Sequence, residues 1–259
     1  SHIYSNVRAF AALKTNGSVV TWGENSVGGN SDNIDLTNVS KIYANDGGFA
    51  ALKTDGSVIS WGLLPTSTSL NPLLTNVKEI YSTDYAFAAL KKDGTVVTWG
   101  STDHGGDSSS VTLKDVTRIY ATTAAFAALK NNGSVVTWGK GDRGGNSSQV
   151  QLEEIETVYA TSSAFAAHKA DGSVITWGGT NSEPAILEDV KEVFVNPFAF
   201  AFLKTDHSIE TWGDANNGGN SKDVALNNTA KVFATSSAFA ALKLDGSVVT
   251  WGNSNFGGD

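Results

Sequence analysis

Residues 126–139 read FAALKNNGSVVTWG, and the same pattern occurs, with small changes, seven times along the chain. Two short apolar segments, at 126–130 and 135–139, flank the pair Asn132-Gly133. Segments this short make poor helices, and their β-branched and aromatic residues favour strands. Asn-Gly supplies the positive φ angles of a tight turn, so this stretch predicts an antiparallel β-hairpin.

Each hairpin is the later part of a longer repeat. A third strand-like segment precedes it, as at residues 119–121, and begins 19 residues before the tryptophan in every copy. The length varies only after the tryptophan, where 16 to 20 residues lead to the next repeat. A fixed period of this size predicts a propeller, a solenoid or another repeat array. The tryptophans that mark the copies, each followed by glycine, are Trp22, Trp61, Trp99, Trp138, Trp177, Trp212 and Trp251.

Three nearly continuous apolar strands per repeat, here named A, B and C, form a sheet that cannot bury its faces alone. We therefore expect an all-β protein, a seven-bladed β-propeller with about three main strands per blade. A linear solenoid is the alternative, but it would carry polar capping repeats at its ends. The ring is predicted to close without a covalent link between blades 7 and 1. The predicted single domain spans 1–259, with blades at about 3–40, 41–78, 79–117, 118–156, 157–191, 192–230 and 231–259.

The composition excludes several classes of function. With 40% hydrophobic and 17% charged residues the chain is typical of a globular protein, and no apolar run is long enough to insert in a membrane. The net charge of −8, without a Lys/Arg run, argues against a nucleic-acid partner. The lack of cysteine excludes disulfides and thiolate chemistry. The acidic composition suits an extracellular or cell-surface module, and we expect a monomer.

Nothing in the sequence predicts an enzyme, a cofactor or a metal site. His2, His104, His168 and His207 map to four unrelated places in the repeat, whereas a metal site needs convergent ligands. Nucleophile-elbow, phosphate-loop and zinc-protease motifs are absent from the sequence. The Gly-Gly-Asn-Ser loops look like calcium-binding nonapeptides but lack their Gly-Gly-x-Gly-x-Asp period. Calcium binding there is left open.

The repeat resembles that of the regulator of chromosome condensation family, which carries Leu…Asp-Gly…Trp-Gly-x-Asn-x-x-Gly and folds as a seven-bladed propeller. The match runs from Leu90 through Asp93 and Trp99 to Gly105 and recurs over the whole chain. The short repeats look most like a bacterial member, the propeller type of β-lactamase inhibitory protein, which holds its target with loops on one face. The family's Gly-x-x-His and Gln-Leu-Gly stretches are missing, and the regular spacing leaves no room for an inserted wedge. Nucleotide exchange and chromatin binding are therefore not expected.

The strand order predicts which face carries the variable loops. If strands A, B and C run up, down and up, the A–B loop and the exit loop after Trp-Gly share one face, and the Asp-Gly turns lie on the other. We name the first of these the loop face. Because function in repeat proteins tends to reside on loops held by a rigid frame, we predict that the loop face binds the partner.

The A–B loops are mostly small and polar, as at residues 161–163, so larger side chains depart from the template. Tyr, Phe and Arg on a surface rim are the residue types that dominate protein interfaces. Packing over the blade tops is the alternative interpretation of each. The candidate binding residues are Arg8, Asp46, Asp84, Tyr85, His104, Arg143, Asn196, Phe198 and Phe256.

Repeat 6 departs most from the others. The connection before it is four residues shorter, Phe202 replaces the usual alanine, and His207 replaces the turn glycine. A residue other than glycine at positive φ costs on the order of 1 kcal/mol. The sequence leaves open whether these changes are functional or drift.

Two function classes follow from this pattern. The first is a non-enzymatic protein-binding propeller, a module of a larger bacterial surface or secreted protein. An inhibitor of a secreted enzyme is a narrower form of this hypothesis. The alternative is a glycan-binding lectin. Such a propeller usually has an exposed aromatic side chain in each repeat, whereas the aromatic candidates of the loop face occur singly.

Overall fold

The computed structural model describes residues 1–63, 74–179 and 183–259. These residues form antiparallel sheets of three strands each, except for one sheet of four, and the seven sheets match a seven-bladed β-propeller. The predicted fold class and the three strands per repeat are confirmed. None of the helical segments in the described ranges is long and apolar enough to cross a bilayer.

The strands follow the predicted order A, B, C in each repeat. Strands A are β1 (His2–Ser5), β4 (Val39–Asn45), β7 (Val77–Ser82), β10 (Val116–Ala121), β13 (Ile155–Ala160), β17 (Val190–Val195) and β20 (Thr229–Ala234). Strands B are β2 (Ala9–Leu13), β5 (Gly48–Lys53), β8 (Ala86–Lys91), β11 (Ala125–Lys130), β14 (Ala164–Lys169), β18 (Ala199–Lys204) and β21 (Ala238–Lys243). Strands C are β3 (Val19–Gly23), β6 (Val58–Gly62), β9 (Val96–Gly100), β12 (Val135–Gly139), β15 (Val174–Gly178), β19 (Ile209–Gly213) and β22 (Val248–Gly252). The additional strand, β16 (Ala185–Leu187), pairs with β15.

The chain divides into two compact units. One contains residues 1–131 and 138–140, and the other contains residues 132–137 and 141–259. The single domain, the blade boundaries and the closure of the ring stay predictions.

A cross-strand aromatic pair forms the centre of each sheet. Phe165 of β14 lies directly opposite Trp177 of β15, and their rings stack with centroids 5.3 Å apart. The same pairing recurs in the other repeats, because the Phe and Trp positions are fixed by the hairpin register. Strand B is buried over nearly its whole length, so this pair is covered by apolar neighbours.

The tryptophan also joins neighbouring repeats within each unit. Trp177 Nε1 donates to the Gly144 carbonyl oxygen at 3.0 Å, and Trp61 and Trp138 bind Gly28 and Gly105 in the same way. Gly144 must be glycine here, because it has φ +93° and an added Cβ would lie 2.5 Å from the Phe165 ring. The glycine after the exit turn therefore fixes the distance between one repeat and the next.

Residues other than glycine adopt left-handed backbone at two places in the described repeats. One is the predicted B–C turn, where Gly172 has φ 85° and His207 has φ 68°. The His207 Nδ1 atom lies 3.0 Å from the Thr229 carbonyl oxygen, a contact that the turn glycines cannot make. The other place, which the sequence pattern does not predict, lies just before strand A. It is held by Asn38, Asn76, Asp115, Glu154, Asp189 and Asn228.

Candidate functional site

Hydrogen bonds join the A–B loop to the exit loop of the same repeat. In repeat 1, Asn6 Nδ2 donates to the Val27 carbonyl oxygen at 2.8 Å. In repeat 3, Thr83 Oγ1 donates to the His104 carbonyl oxygen at 2.9 Å. Equivalent bonds join Asn196 to Asn217 and Thr235 to Phe256. The two variable loops of these repeats therefore lie on one face, as the strand order predicts.

The exit loops begin with short 3-10 turns, which the sequence pattern does not predict. The described turns are Asn25–Val27, Thr102–His104, Gly141–Arg143, Ala215–Asn217 and Ser254–Phe256. The three exit-loop candidates, His104, Arg143 and Phe256, are each the last residue of such a turn. They occupy equivalent positions in three repeats, just before a glycine with positive φ, and in repeats 3 and 4 that glycine contacts the next sheet.

Three A–B loop candidates also share one position of the repeat. Arg8, Tyr85 and Phe198 each lie at the tip of the A–B loop, 14 residues before the tryptophan of their repeat. The equivalent residues in the remaining repeats are Gly47, Ala124, Ser163 and Ser237. Three repeats therefore carry a large side chain at a position where the other four have a small residue.

Repeat 3 brings two of the candidates into contact. The Tyr85 and His104 rings meet edge to face with centroids 5.0 Å apart. The His104 Nδ1 atom lies 3.0 Å from Ser101 Oγ, which orients the imidazole. Tyr85 remains 37% exposed, so its ring is supported from one side and available on the other. Beside it, the Asp84 backbone N–H donates to the Thr123 carbonyl oxygen of the next A–B loop at 2.9 Å.

The remaining candidates lie in different settings. Arg8 forms an exposed ion pair with Glu24 at 3.2 Å. Hydrogen bonds from the Ser26 hydroxyl and then from Arg8 lower the pKa of the Glu24 carboxyl. Asp46 is half-buried, and Phe256 is exposed.

Asn196 is buried, and its side chain is used inside the loop. Its Oδ1 atom accepts the backbone N–H groups of Phe198 and Ala199, each at 2.8 Å, while its amide reaches Asn217. Asn6 makes the same set of bonds in repeat 1. Asn196 therefore shapes the loop that presents Phe198, and its predicted part in binding would be indirect.

Two candidates from different repeats line one cavity in the second unit. Arg143, at the end of the exit turn of repeat 4, and Phe198, in the A–B loop of repeat 6, border a cavity of about 310 Å³ together with Trp212 and Asp214. Neither Trp212 nor Asp214 was a candidate from the sequence.

The Trp212 N–H group has a different kind of acceptor. In four connections a glycine after the exit turn accepts the N–H of the next tryptophan, whereas Trp212 Nε1 donates to the Glu183 carbonyl oxygen at 2.9 Å. After Glu183 the chain continues into β16. Trp212 is 8% exposed, compared with 1% for Trp177 and 2% for Trp251.

A second cavity, of about 460 Å³, contacts the same glycine, Gly179, and is lined by Trp177, Glu183 and several polar groups of the exit loop of repeat 4. It contains none of the candidate residues. Within the described ranges, no three or more His, Asp or Glu side chains are placed to hold a metal ion.

Comparisons with known proteins show the fold. The ectodomain of the receptor kinase CR4 from Physcomitrella patens matches with a TM-score of 0.52 and 15% identity, over 97% of this chain and 72% of that chain. The CRINKLY WD40 ectodomain of ACR4 from Arabidopsis thaliana has a TM-score of 0.45 and 19% identity, over 97% of this chain and 96% of that chain. Prp20p from Saccharomyces cerevisiae, studied for binding to Gsp1p and histones, has a TM-score of 0.47 and 14% identity, over 96% of this chain and 71% of that chain. No protein-family model and no curated protein matches the chain. Likeness at these identities shows a β-propeller and carries no function.

Proposed function

We propose that this chain is a non-enzymatic protein-binding propeller that holds its partner with the loop face. One observation carries the proposal. Large aromatic side chains, Tyr85 and Phe198, stand exposed at a loop-tip position where four other repeats have Gly, Ala or Ser. Exposed aromatics on a rigid support are typical anchors of protein interfaces.

The loops that carry these aromatics are held in place. Asn196 fixes the backbone before Phe198. The hydrogen bond from Thr83 Oγ1 to the His104 carbonyl oxygen joins the loop that carries Tyr85 to the exit turn. Neighbouring A–B loops are also joined, since the Ser162 backbone N–H donates to the Pro197 carbonyl oxygen at 2.8 Å. Loops fixed in this way lose little conformational entropy when a partner binds.

The resemblance of the repeat to the regulator of chromosome condensation family, and to its bacterial inhibitory-protein members, supports the choice of a protein partner. A position in a larger bacterial surface or secreted protein agrees with the acidic composition and remains part of the proposal. The same acidic charge is unfavourable for nucleic acid as the partner.

The test is quantitative capture of proteins from the source organism and its surroundings on the immobilised chain. The variants Tyr85→Ala and Phe198→Ser introduce residues that other repeats already have at this position, so the fold should tolerate them. Each should lower retention of the captured partner by about tenfold, the effect of a hot-spot residue. The matched controls Ala124→Ser and Ser237→Ala, at the same position in repeats 4 and 7, should leave retention unchanged. Equal retention by all four variants would remove the loop face as the binding site.

A further inference from the structure

We propose that the cavity bordered by Arg143, Phe198, Trp212 and Asp214 receives one tyrosine side chain of the protein partner. The inference rests on the proposed function and names what the partner inserts. We call this cavity the repeat 5–6 cavity, because residues of these two repeats provide most of its lining.

Aromatic and small side chains line one part of the cavity. Phe198 is 41% exposed and Trp212 is the least covered of the buried indoles in the second unit. Ala164 and Ala215 add small apolar surface beside them. Flat rings next to small side chains favour another flat ring, because aromatic groups pack edge to face or offset against one another.

Charged groups of both signs line the same cavity. Arg143 would oppose a partner lysine or arginine, and Asp214 would oppose a partner carboxylate. A neutral side chain avoids both repulsions. The phenol of tyrosine is neutral, and it can both donate and accept a hydrogen bond.

Asp214 is placed to accept a hydrogen bond from the phenol O–H. Its Oδ1 atom already accepts the Asn216 backbone N–H at 2.9 Å and Asn217 Nδ2 at 3.1 Å. These bonds fix the carboxylate and leave Oδ2 for a ligand donor. Phenylalanine has no donor and would desolvate the carboxylate without replacing its lost hydrogen bond with water, so the cavity should favour tyrosine.

The size of the cavity fits one side chain, since about 310 Å³ is at the lower end of the range of small-molecule sites, which spans about 300–1,000 Å³. In the second unit, Trp177 and Trp251 are covered by the preceding exit turns, in which the carbonyl oxygens of Gly144 and Gly218 accept their N–H groups. Both are less exposed than Trp212, and this difference between repeats of one unit favours an anchor for a single protein partner over a lectin with one sugar in each blade.

The test uses N-acetyl-L-tyrosinamide and N-acetyl-L-phenylalaninamide as probes of the full chain, with dissociation constants measured by ligand-observed NMR titration. We expect the tyrosine probe to bind about tenfold more tightly than the phenylalanine probe. Phe198→Ser should weaken both probes. Asp214→Asn should bring the two probes to within about twofold of each other, since it removes the stronger, charged acceptor.

Asp214→Asn is a safe substitution for the fold. Repeat 7 has asparagine at the equivalent position, where Asn253 Oδ1 accepts the Asn255 backbone N–H at 3.1 Å. A loss of tyrosine selectivity in this variant therefore reports on the ligand contact and not on a broken turn. Unchanged melting of the variant checks this point.

Several results would overturn the inference. They are no binding of either probe, equal binding of both, tyrosine selectivity that survives Asp214→Asn, or methyl glycosides that bind in place of the probes and depend on Phe198. If partner capture depends on Phe198 while the tyrosine probe fails, the inference is wrong and the proposed function stands. If the probe behaves as expected while no protein is captured, the cavity chemistry stands and the proposed function fails.

Discussion

Glu154 occupies a backbone conformation that suits it poorly, and replacing it with asparagine should stabilise the protein. Its φ is +60°, in the left-handed region, just before strand β13. The equivalent residues of three other repeats are Asn38, Asn76 and Asn228, with φ between 53° and 57°. Asparagine enters this region more readily than glutamate, because its short side chain can hydrogen-bond locally.

The magnitude follows from the conformational cost. The left-handed region costs an ordinary L-residue about 1–2 kcal/mol, and asparagine only part of it, so Glu154→Asn should gain about 0.5–1 kcal/mol. Little is lost in exchange, because Glu154 is exposed to solvent. In a domain of this size, 1 kcal/mol shifts the melting temperature by about 2–4 °C. We therefore expect a rise of about 1–4 °C.

The assay is thermal and urea denaturation followed by tryptophan fluorescence, with Glu153→Asn as the matched control. Glu153 is equally exposed and lies outside the left-handed region, and both variants remove one negative charge. The difference between the two variants therefore isolates the backbone effect. If Glu154→Asn gives no more stability than Glu153→Asn, the argument from the left-handed conformation is wrong.

Three further predictions concern the scaffold. Trp177→Phe should lower stability by about 2–3 kcal/mol, because it leaves the Gly144 carbonyl without its donor and a small void beside Phe165; an unchanged urea midpoint would contradict this. At His207, the glycine variant should be about 1 kcal/mol more stable than the alanine variant, because both lose the contact with Thr229 but only alanine is strained at the positive φ; equal melting temperatures would contradict this. In the B–C turns, hydrogen bonds from the following Ser or Thr hydroxyl lower the pKa of Asp55, Asp93, Asp171, Asp206 and Asp245. Because these folded pKa values lie below the unfolded values, the stabilisation is present above about pH 4 and is lost as the pH falls through the folded values. Melting temperatures measured from pH 6 to pH 2 should fall accordingly, and less steeply in a variant with asparagine at 55, 93, 171 and 245, the residue that Asn16 and Asn132 already provide.

The scaffold could be predicted from the sequence because every level of local information agrees in each copy. The turn glycines, the β-branched residues of strand C and the Phe-Trp register repeat with a fixed spacing, and agreement across levels is what specifies a fold. Two features escaped this pattern. The left-handed residue before strand A falls in a polar connection where Asn, Asp and Glu look equally solvated. The 3-10 turn falls in the segment whose length varies.

The candidate residues were found as departures from the template, but their roles depend on distances that the repeat does not contain. Tyr85 and His104 lie in different loops of repeat 3, and only the geometry of the exit turn brings their rings into contact. Asn196 shows the opposite case. It looked like a surface amide, yet it forms the same loop-closing bonds as Asn6, and a comparison of equivalent positions could have revealed that from the sequence.

The shortened connection before repeat 6 was the least interpretable feature of the sequence and becomes the most informative in the structure. A deletion that only damaged the fold would leave the Trp212 N–H without an acceptor, whereas here the Glu183 carbonyl replaces the glycine carbonyl. The internal packing is also maintained, since Phe202 is fully buried against the aromatic pair of its own sheet. Beside Trp212, the loop that borders the cavity carries Phe198 where the neighbouring repeats have serine. Compensation inside the sheet combined with an exposed aromatic outside it favours a functional adaptation over drift.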